Sequence, residues 1–288
     1  MVLEIFQPVL MQAEEYARSG DSTQALHTLR QLPIDDFGHV LLAVPEPYVA
    51  LRDLLPRMAD EQVQLNWTGS SGEVLLKQTT AFVKTVTGAY REFGGRDLER
   101  SDVLDFGCGW GRVLRLMLKY CEPDRLFGVD PWTESIEICK KDGVLGKLAV
   151  SDYVPEQLPF TGTNFDLAYA FSVFTHLSER TSLKCLAALR ARMSQNALLV
   201  MTIRPVEYWT IHSGWDKGYT PEQLIEAHHR SGYAFFPHNR PPIDDDITYG
   251  DASISLPYIE KRWMDWELVG IDHNGEDPYQ VLLFLRPK

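Results

Sequence analysis

The chain contains no run of the ~20 apolar residues that a bilayer-spanning helix needs, so a helical membrane protein is excluded. Cysteine is scarce. Cys108, Cys121, Cys139 and Cys185 are scattered over 288 residues, with no C-x-x-C pair and no histidines clustered at ligand spacing. This sets aside a disulfide scaffold or a zinc module and fits reduced thiols. The opening MVLEIFQPVLMQAEEY lacks the Lys or Arg of a secretion signal, so the expected location is the cytoplasm. Positive charge is also short: 28 basic against 40 acidic residues give −12, which repels nucleic acid and anionic lipid at long range. Nucleic acid is therefore a disfavoured partner, no membrane is expected, and a small-molecule substrate is. No oligomeric state follows from the sequence. What is present, 44% apolar and 24% charged residues, is the balance of a globular protein of one large or two small domains.

The first 95 residues read as helical. One helix is expected from about Leu3 to Arg18, stopped at Gly20, and a second from Asp21 or Ser22, closed by Pro33. The pair faintly resembles one tetratricopeptide-like unit, but a single copy builds no solenoid, so it reads as an appended helical pair. A third helix is expected over Glu73–Phe93, where Leu75, Phe82, Val86, Ala89 and Phe93 recur at helical spacing. Short apolar runs then alternate with helical stretches: Val103–Phe106, Leu126–Val129, Lys147–Val150, Phe165–Ala170 and Ala197–Ile203. That alternation means an open parallel sheet, with ligands at the carboxyl ends of its strands. Residues 205–262 break the rhythm and carry Tyr208, Trp209, Trp215, Tyr219, Tyr233, Phe235 and Phe236. So aromatic a segment argues for an ordered cap over the strand ends. Inside it, Thr220-Pro221-Glu222-Gln223 starts a helix and Gly232 stops it. Trp266–Ile271 and Gln280–Arg286 close the chain as an antiparallel hairpin around His273-Asn274-Gly275.

The strongest local signal is VLDFGCGWGR, Val103–Arg112. A buried strand runs into Asp105, and Gly107, Gly109 and Gly111 precede a helix. Glycines there let the backbone turn sharply and approach a ligand, and helix-terminal amides favour an anion. An ordinary glycine-rich turn is the alternative. A nicotinamide dinucleotide needs G-x-G-x-x-G, whereas here the glycines run G-x-G-x-G and Arg112 follows. LFGVDPW ends a strand in Asp130, 19 residues after Gly111, where a carboxylate can take both hydroxyls of a ribose or simply cap the next helix. In Ser151-Asp152-Tyr153, Asp152 can accept from an exocyclic amine while Tyr153 flanks a ring, or it is a plain loop acid.

Taken in order, DFGCGWG, VD, SDYVPEQLPF and NFDLAYAFSVFTHLSE make residues from about Asp102 to Lys288 similar to class I S-adenosylmethionine-dependent methyltransferases. NWTGSSG, SVFTHLSE and YGDASISLPYIEKRW also resemble a bacterial subgroup of that family. The resemblance implies an α/β fold with a seven-stranded Rossmann-like sheet and a terminal antiparallel strand pair. A helical N-terminal extension (1–95) precedes the methyltransferase domain (96–288), with the cap (205–262) inserted between strands five and six. It implies S-adenosyl-L-methionine as cofactor and S-adenosyl-L-homocysteine as product. Asp105, Gly107, Gly109 and Gly111 would form the loop around the methionine portion, Asp130 would hold the ribose, Asp152 and Tyr153 the adenine, and Phe171 would lie close to the sulfonium. Arg112 either pairs with the cofactor carboxylate or is a surface helix cation. Trp132 either stacks on adenine or, like Trp110, packs. NWTGSSG, from Asn66 to Gly72, is expected either to fold over the cofactor or to cap the next helix.

A sulfonium is already a potent methyl donor, so neither a metal nor a covalent intermediate is required, only alignment and exclusion of water. An aromatic cap suits a small or amphipathic acceptor. If that acceptor is a hydroxyl, a base near neutrality helps, and histidine is the natural choice. His176, after the fourth strand, is the first candidate and His212, inside the cap, the second. Each can equally be a histidine satisfied by hydrogen bonds. His228 and His229 are expected on a surface helix, and Asp244-Asp245-Asp246 in a solvated loop rather than around a cation. Phe171-Ser172-Val173-Phe174 stands where the family's nucleobase-amine enzymes often carry Asn/Asp-Pro-Pro-aromatic, which lowers that option. Methyl transfer to a small-molecule oxygen is the favoured reading, ahead of nitrogen. The rivals are a protein or RNA methyltransferase, a dinucleotide dehydrogenase, and a non-catalytic cofactor-binding protein with an interaction module in its N-terminal helices.

Overall fold

Glycine and proline punctuation places the first helices. In the computed structural model, which describes residues 4–212 and 218–288, α1 (Gln7–Arg18) runs into Gly20 at φ 83°. Leu3, the expected helix start, and Trp215 of the expected cap lie outside the described residues. Asp21 caps α2 (Ser22–Leu29), accepting from the Gln24 amide at 3.0 Å, and Pro33 is the N-cap of α3 (Ile34–Leu42). Then come α4 (Val49–Leu54), α5 (Glu61–Thr68) and α6 (Gly72–Phe93). In α6 the residues at helical spacing, Leu75, Phe82, Val86 and Ala89, are buried.

Strands β1 (Val103–Phe106), β2 (Leu126–Asp130), β3 (Lys147–Val150), β4 (Phe165–Ala170) and β5 (Met193–Ile203) alternate with α7 (Arg112–Met117), α8 (Thr133–Lys141) and α9 (Glu179–Arg190). The insertion follows as α10 (Tyr208–Ile211), α11 (Pro221–Ser231), β6 (Tyr233–Pro237), β7 (Gly250–Ile254) and α12 (Leu256–Arg262). The chain closes with β8 (Trp266–Asn274) and β9 (Asp277–Pro287). Seven strands form one sheet in the order β3-β2-β1-β4-β5-β9-β8. β1–β2, β2–β3 and β4–β5 pair in parallel, β5–β9 and β9–β8 antiparallel. This is the expected Rossmann-like sheet with its antiparallel end pair, its preceding helices and an insertion between the fifth and sixth strands of the sheet. β6 and β7 pair separately. The β8–β9 turn falls on Gly275-Glu276, one residue later than expected, because Asn274 stays in the strand and its Oδ1 accepts from the Glu276 amide at 3.0 Å.

Two compact units make up the chain: Met1–Thr87 with Asp97–Val150, and Gly88–Arg96 with Ser151–Lys288. In the first, Leu29, Leu32, Phe37, Leu51, Phe82, Leu114 and Met117 are buried. There Arg30, just after α2, donates to the Leu118 and Cys121 carbonyls at 2.8 and 2.6 Å and pairs with Glu122. The second is built on Phe165, Leu167, Tyr169, Leu198, Val200 and Leu283, with a satellite core of Trp209, Leu224, Ala234 and Phe236 in the insertion.

Candidate functional site

In the first unit the glycine loop bends as its composition demands. Gly107, Gly109 and Gly111 have φ of 77°, 53° and 79°, a left-handed region that costs other residues about 1–2 kcal/mol each. The Gly107 and Cys108 amides donate to the Val129 carbonyl at 2.8 and 2.9 Å, tying the loop to β2. Asp130, at the end of β2, accepts at Oδ2 from the Gly109 amide (2.9 Å), and at Oδ1 from the Trp132 amide (2.9 Å) and Ser135 hydroxyl (3.0 Å). Burial raises its carboxyl above the usual value, against those bonds. A carboxylate has about four acceptor positions, so Oδ2 retains capacity for one more hydroxyl.

Asp105 is buried on β1. Arg112 opens α7 half-buried and lines an apolar cavity with Leu41, Met58, Leu75 and Trp110. Trp110 packs in a buried cluster with Ala59 and Leu75, its ring 5.0 Å from the guanidinium of Arg115. Arg115, which sequence reasoning passed over, is buried and donates to the carbonyls of Trp110 and Arg57, the latter at 2.8 Å from Nη2. Trp132 meets Trp67 edge-on, centroids 5.2 Å apart, and the Trp67 ring lies 3.5 Å from where a Gly109 Cβ would stand. The Asn66–Gly72 segment therefore reaches the glycine loop. Open backbone, an acceptor position on Asp130 and two indoles fit an adenosine-bearing ligand.

In the second unit Asp152 and Tyr153 are exposed in the loop after β3, and Phe171 is half-buried just beyond β4. Ser172 holds φ 60°, uncommon for a residue with a Cβ. Its amide donates to Thr202 Oγ1 at 2.8 Å, and its Oγ accepts from Gln280 Nε2 at 3.1 Å.

Six residues past β4, His176 enters a cluster centred on Asp251 of β7. Asp251 Oδ1 pairs with Arg204 and accepts from Tyr208 Oη at 3.1 Å, and Oδ2 accepts from His238 Nε2 at 2.8 Å. His176 Nδ1 lies 2.8 Å from the Gly250 carbonyl and 3.3 Å from Asp251, and Arg204 Nη2 is 3.2 Å from its Nε2. A guanidinium only donates, so Nε2 accepts and the His176 proton sits on Nδ1. His212 Nδ1 lies 3.0 Å from Tyr208 Oη. Burial pushes both His176 and His212 down, so both are neutral imidazoles at pH 7. For Asp251 burial acts to raise the carboxyl, but hydrogen bonds from His176 and His238 and the Arg204 charge outweigh it and hold it far below the carboxylate range.

Sequence reasoning did not single out Arg204, Tyr208, His238 or Asp251 as site residues. The signals were Asp251 within YGDAS and Arg204 directly after a parallel strand. One expectation is corrected. His228 is buried, its Nδ1 2.8 Å from the Ser253 hydroxyl, because it shares the inward face of α11 with Leu224. The Asp244–Asp246 run is in a loop as expected, with Asp244 and Asp245 exposed; Asp246 accepts from Ser178 at 2.5 Å and Asp244 pairs with Arg180 at 2.9 Å, which ties the loop to the start of α9. Among the described residues, His27, Glu99 and Glu122 alone bring three ligand atoms within 4.8 Å, and Arg30 already pairs with Glu122.

Residues 103–196 match the family described as methyltransferase domain. Solved structures with a similar fold include an S-adenosylmethionine-dependent methyltransferase from Clostridium acetobutylicum ATCC 824, with a TM-score of 0.50 and 11% identity over 78% of this chain and 96% of that one. A protein of Pyrococcus horikoshii OT3 gives 0.50 and 14% over 80% and 100%. Magnesium protoporphyrin IX methyltransferase from Synechocystis PCC 6803 gives 0.49 and 14% over 83% and 98%. No curated protein matches the chain. Residues 103–196 therefore carry a methyltransferase domain, and the seven-stranded sheet has the fold of these solved structures.

Proposed function

We propose that the chain is a cytoplasmic enzyme that methylates a hydroxyl oxygen of a small molecule. The observation that carries this reading is the gathering of neutral, buried imidazoles around an ionised Asp251, walled by aromatic side chains. A hydroxyl must lose its proton as it is methylated, and a neutral imidazole takes one near pH 7. The −12 charge and the aromatic insertion favour a small acceptor over a polymer.

In this reading residues 1–95 are a helical extension, 96–288 the methyltransferase domain and 205–262 a cap that keeps water from the reaction. When bound, the cofactor supplies an electrophilic methyl on a sulfonium. The chain's own residues bind and orient. The backbone at Asp105, Gly107, Gly109 and Gly111 surrounds the methionine portion, and Arg112 pairs with its carboxylate. Asp130 accepts from a ribose hydroxyl, Trp132, Asp152 and Tyr153 hold the adenine, and Phe171 lies by the sulfonium. The base is drawn from the imidazoles around Asp251, His176 and His212 among them.

The test is methyl transfer from labelled S-adenosylmethionine to a panel of phenols, catechols, sugar hydroxyls and primary amines. Methyl ethers are expected, and turnover of the amines alone overturns the reading. Asp130→Ala should bind S-adenosylhomocysteine severely more weakly with its fold intact, as read by calorimetry and circular dichroism. A thermal-shift titration separates cofactors: at a hundredfold excess over Kd a specific ligand adds about 2.7 kcal/mol, expected for the two adenosyl compounds and not for NAD.

A further inference from the structure

We propose that His238 is the proton acceptor of the methyl transfer and that Asp251 holds it in the required tautomer, an assignment resting on the hydroxyl-acceptor reading above. His238 lies just beyond β6, and its Nε2 is 2.8 Å from Asp251 Oδ2. An ionised carboxylate only accepts, so the proton sits on Nε2 and the basic lone pair on Nδ1. Nothing comparable holds for its neighbours. The Nε2 lone pair of His176 is directed at Arg204, and a proton placed there would face a guanidinium. His212 donates to the Tyr208 oxygen from a side chain only 9% exposed, whereas that of His238 is 37% exposed, open to a substrate and to solvent.

The surroundings suit this role. His176 follows β4 and Arg204 follows β5, so the cluster stands at the carboxyl ends of two parallel neighbours, where open α/β sheets bind ligands. Phe236 and Tyr249 set their rings 6.5 and 5.4 Å from His238, as walls for a flat acceptor. The groups facing the dyad are Arg204 after β5, His176 after β4, Tyr208 and His212 on α10, and Tyr249 with Arg240 stacked on it at 4.3 Å. Asp277 of β9 adds its negative charge near Tyr208.

In the step itself the acceptor oxygen forms its bond to the methyl carbon while the sulfur–methyl bond breaks, its electron pair staying on sulfur in S-adenosylhomocysteine. The acceptor's O–H electron pair stays on oxygen, and its proton passes to His238 Nδ1 and from there to water. Arg204, His176 and Tyr208 are positioning residues that fix the carboxylate.

The test uses the full chain. Histidine side-chain nitrogen–proton correlation spectra, recorded from about pH 5 to about pH 9, should give His238 as the Nε2–H tautomer when neutral and His176 as Nδ1–H. His238→Ala should lose about 100-fold or more in kcat on the hydroxyl compound turned over in the panel, with unchanged affinity for S-adenosylhomocysteine and partial rescue by added imidazole. Asp251→Asn should abolish the tautomer preference of His238; because that variant strands Arg204, His238→Gln serves as the folding-neutral second variant and should match His238→Ala. An Nδ1–H tautomer at His238, or a His238→Ala kcat within about twofold of wild type on a hydroxyl, overturns the assignment. Turnover of amines alone, with the Nε2–H tautomer in place, overturns the base role through the acceptor reading and leaves the dyad standing.

Discussion

An added methyl group has different consequences at Gly109 and Gly111. At Gly111 the new Cβ would stand 3.1 Å from Arg115 Nη1 and from both Val144 methyls, at a φ of 79°. Strain and crowding add, so Gly111→Ala should lose about 2 kcal/mol or more in urea unfolding. At Gly109 the Cβ would make an ordinary 3.5 Å contact with Trp67, leaving mainly the left-handed strain of about 1 kcal/mol. On the proposed roles, however, Gly109→Ala should bind S-adenosylhomocysteine much more weakly than its own loss of about 1 kcal/mol in stability would suggest, because its Cβ fills the cradle itself. Calorimetry beside unfolding separates the two effects. Asp251→Asn belongs to a third kind, a buried charge left alone: with Arg204 stranded at 11% side-chain exposure, about 3–5 kcal/mol should go.

Elements were legible where local signals were strong. Thr220 closes a capping box with Gln223 at the start of α11, and Gly232 ends it at φ 79°, as the sequence TPEQ and the glycine imply. Thr220→Ala should therefore cost about 1 kcal/mol, read by urea unfolding. Largely apolar runs marked β1 and β4 to the residue, because both strands are buried along their whole length, whereas β3, an edge strand with exposed and half-buried residues, showed only as the short run KLAV. β6 and β7 were missed, since YAFFP and GDASI form a two-stranded sheet of their own and are separated by residues 238–249, far longer than a tight hairpin turn. Helices α3 to α5 were likewise unread: α4 is six residues long, too short for a period to show. The glycine loop and Asp130 were visible as contiguous motifs. The Asp251 cluster was not, because its members come from Thr175-His176, Arg204–Tyr208 and His238–Asp251, which only the fold brings together.

Across the whole molecule these buried groups set how stability responds to acid. An unfolded histidine takes a proton near pH 6.5. His176, His212 and His228 resist it in the fold, where burial pushes each of them down. Below that pH the unfolded chain binds more protons than the native one, so stability falls with falling pH, by up to about 1.4 kcal/mol per pH unit for each histidine. The carboxyls of Asp251, Glu14 and Glu122 act in the same direction but lower. Burial would raise them, yet hydrogen bonds and nearby cations outweigh it, so each is held below its unfolded value near pH 4. Their contribution is complete above that value and is lost as the pH drops beneath it. Asp130, raised by burial, runs the other way and blunts the second phase. Urea midpoints should therefore decline in two steps, one between about pH 6.5 and 5 and another below about pH 4. His228→Asn should shrink the first step and leave the second, since its removal deletes one resisting imidazole and no carboxylate. A midpoint that stays flat from pH 7 to about 5 would mean these histidines are protonated in the fold, and the neutral imidazoles around Asp251 would go with it.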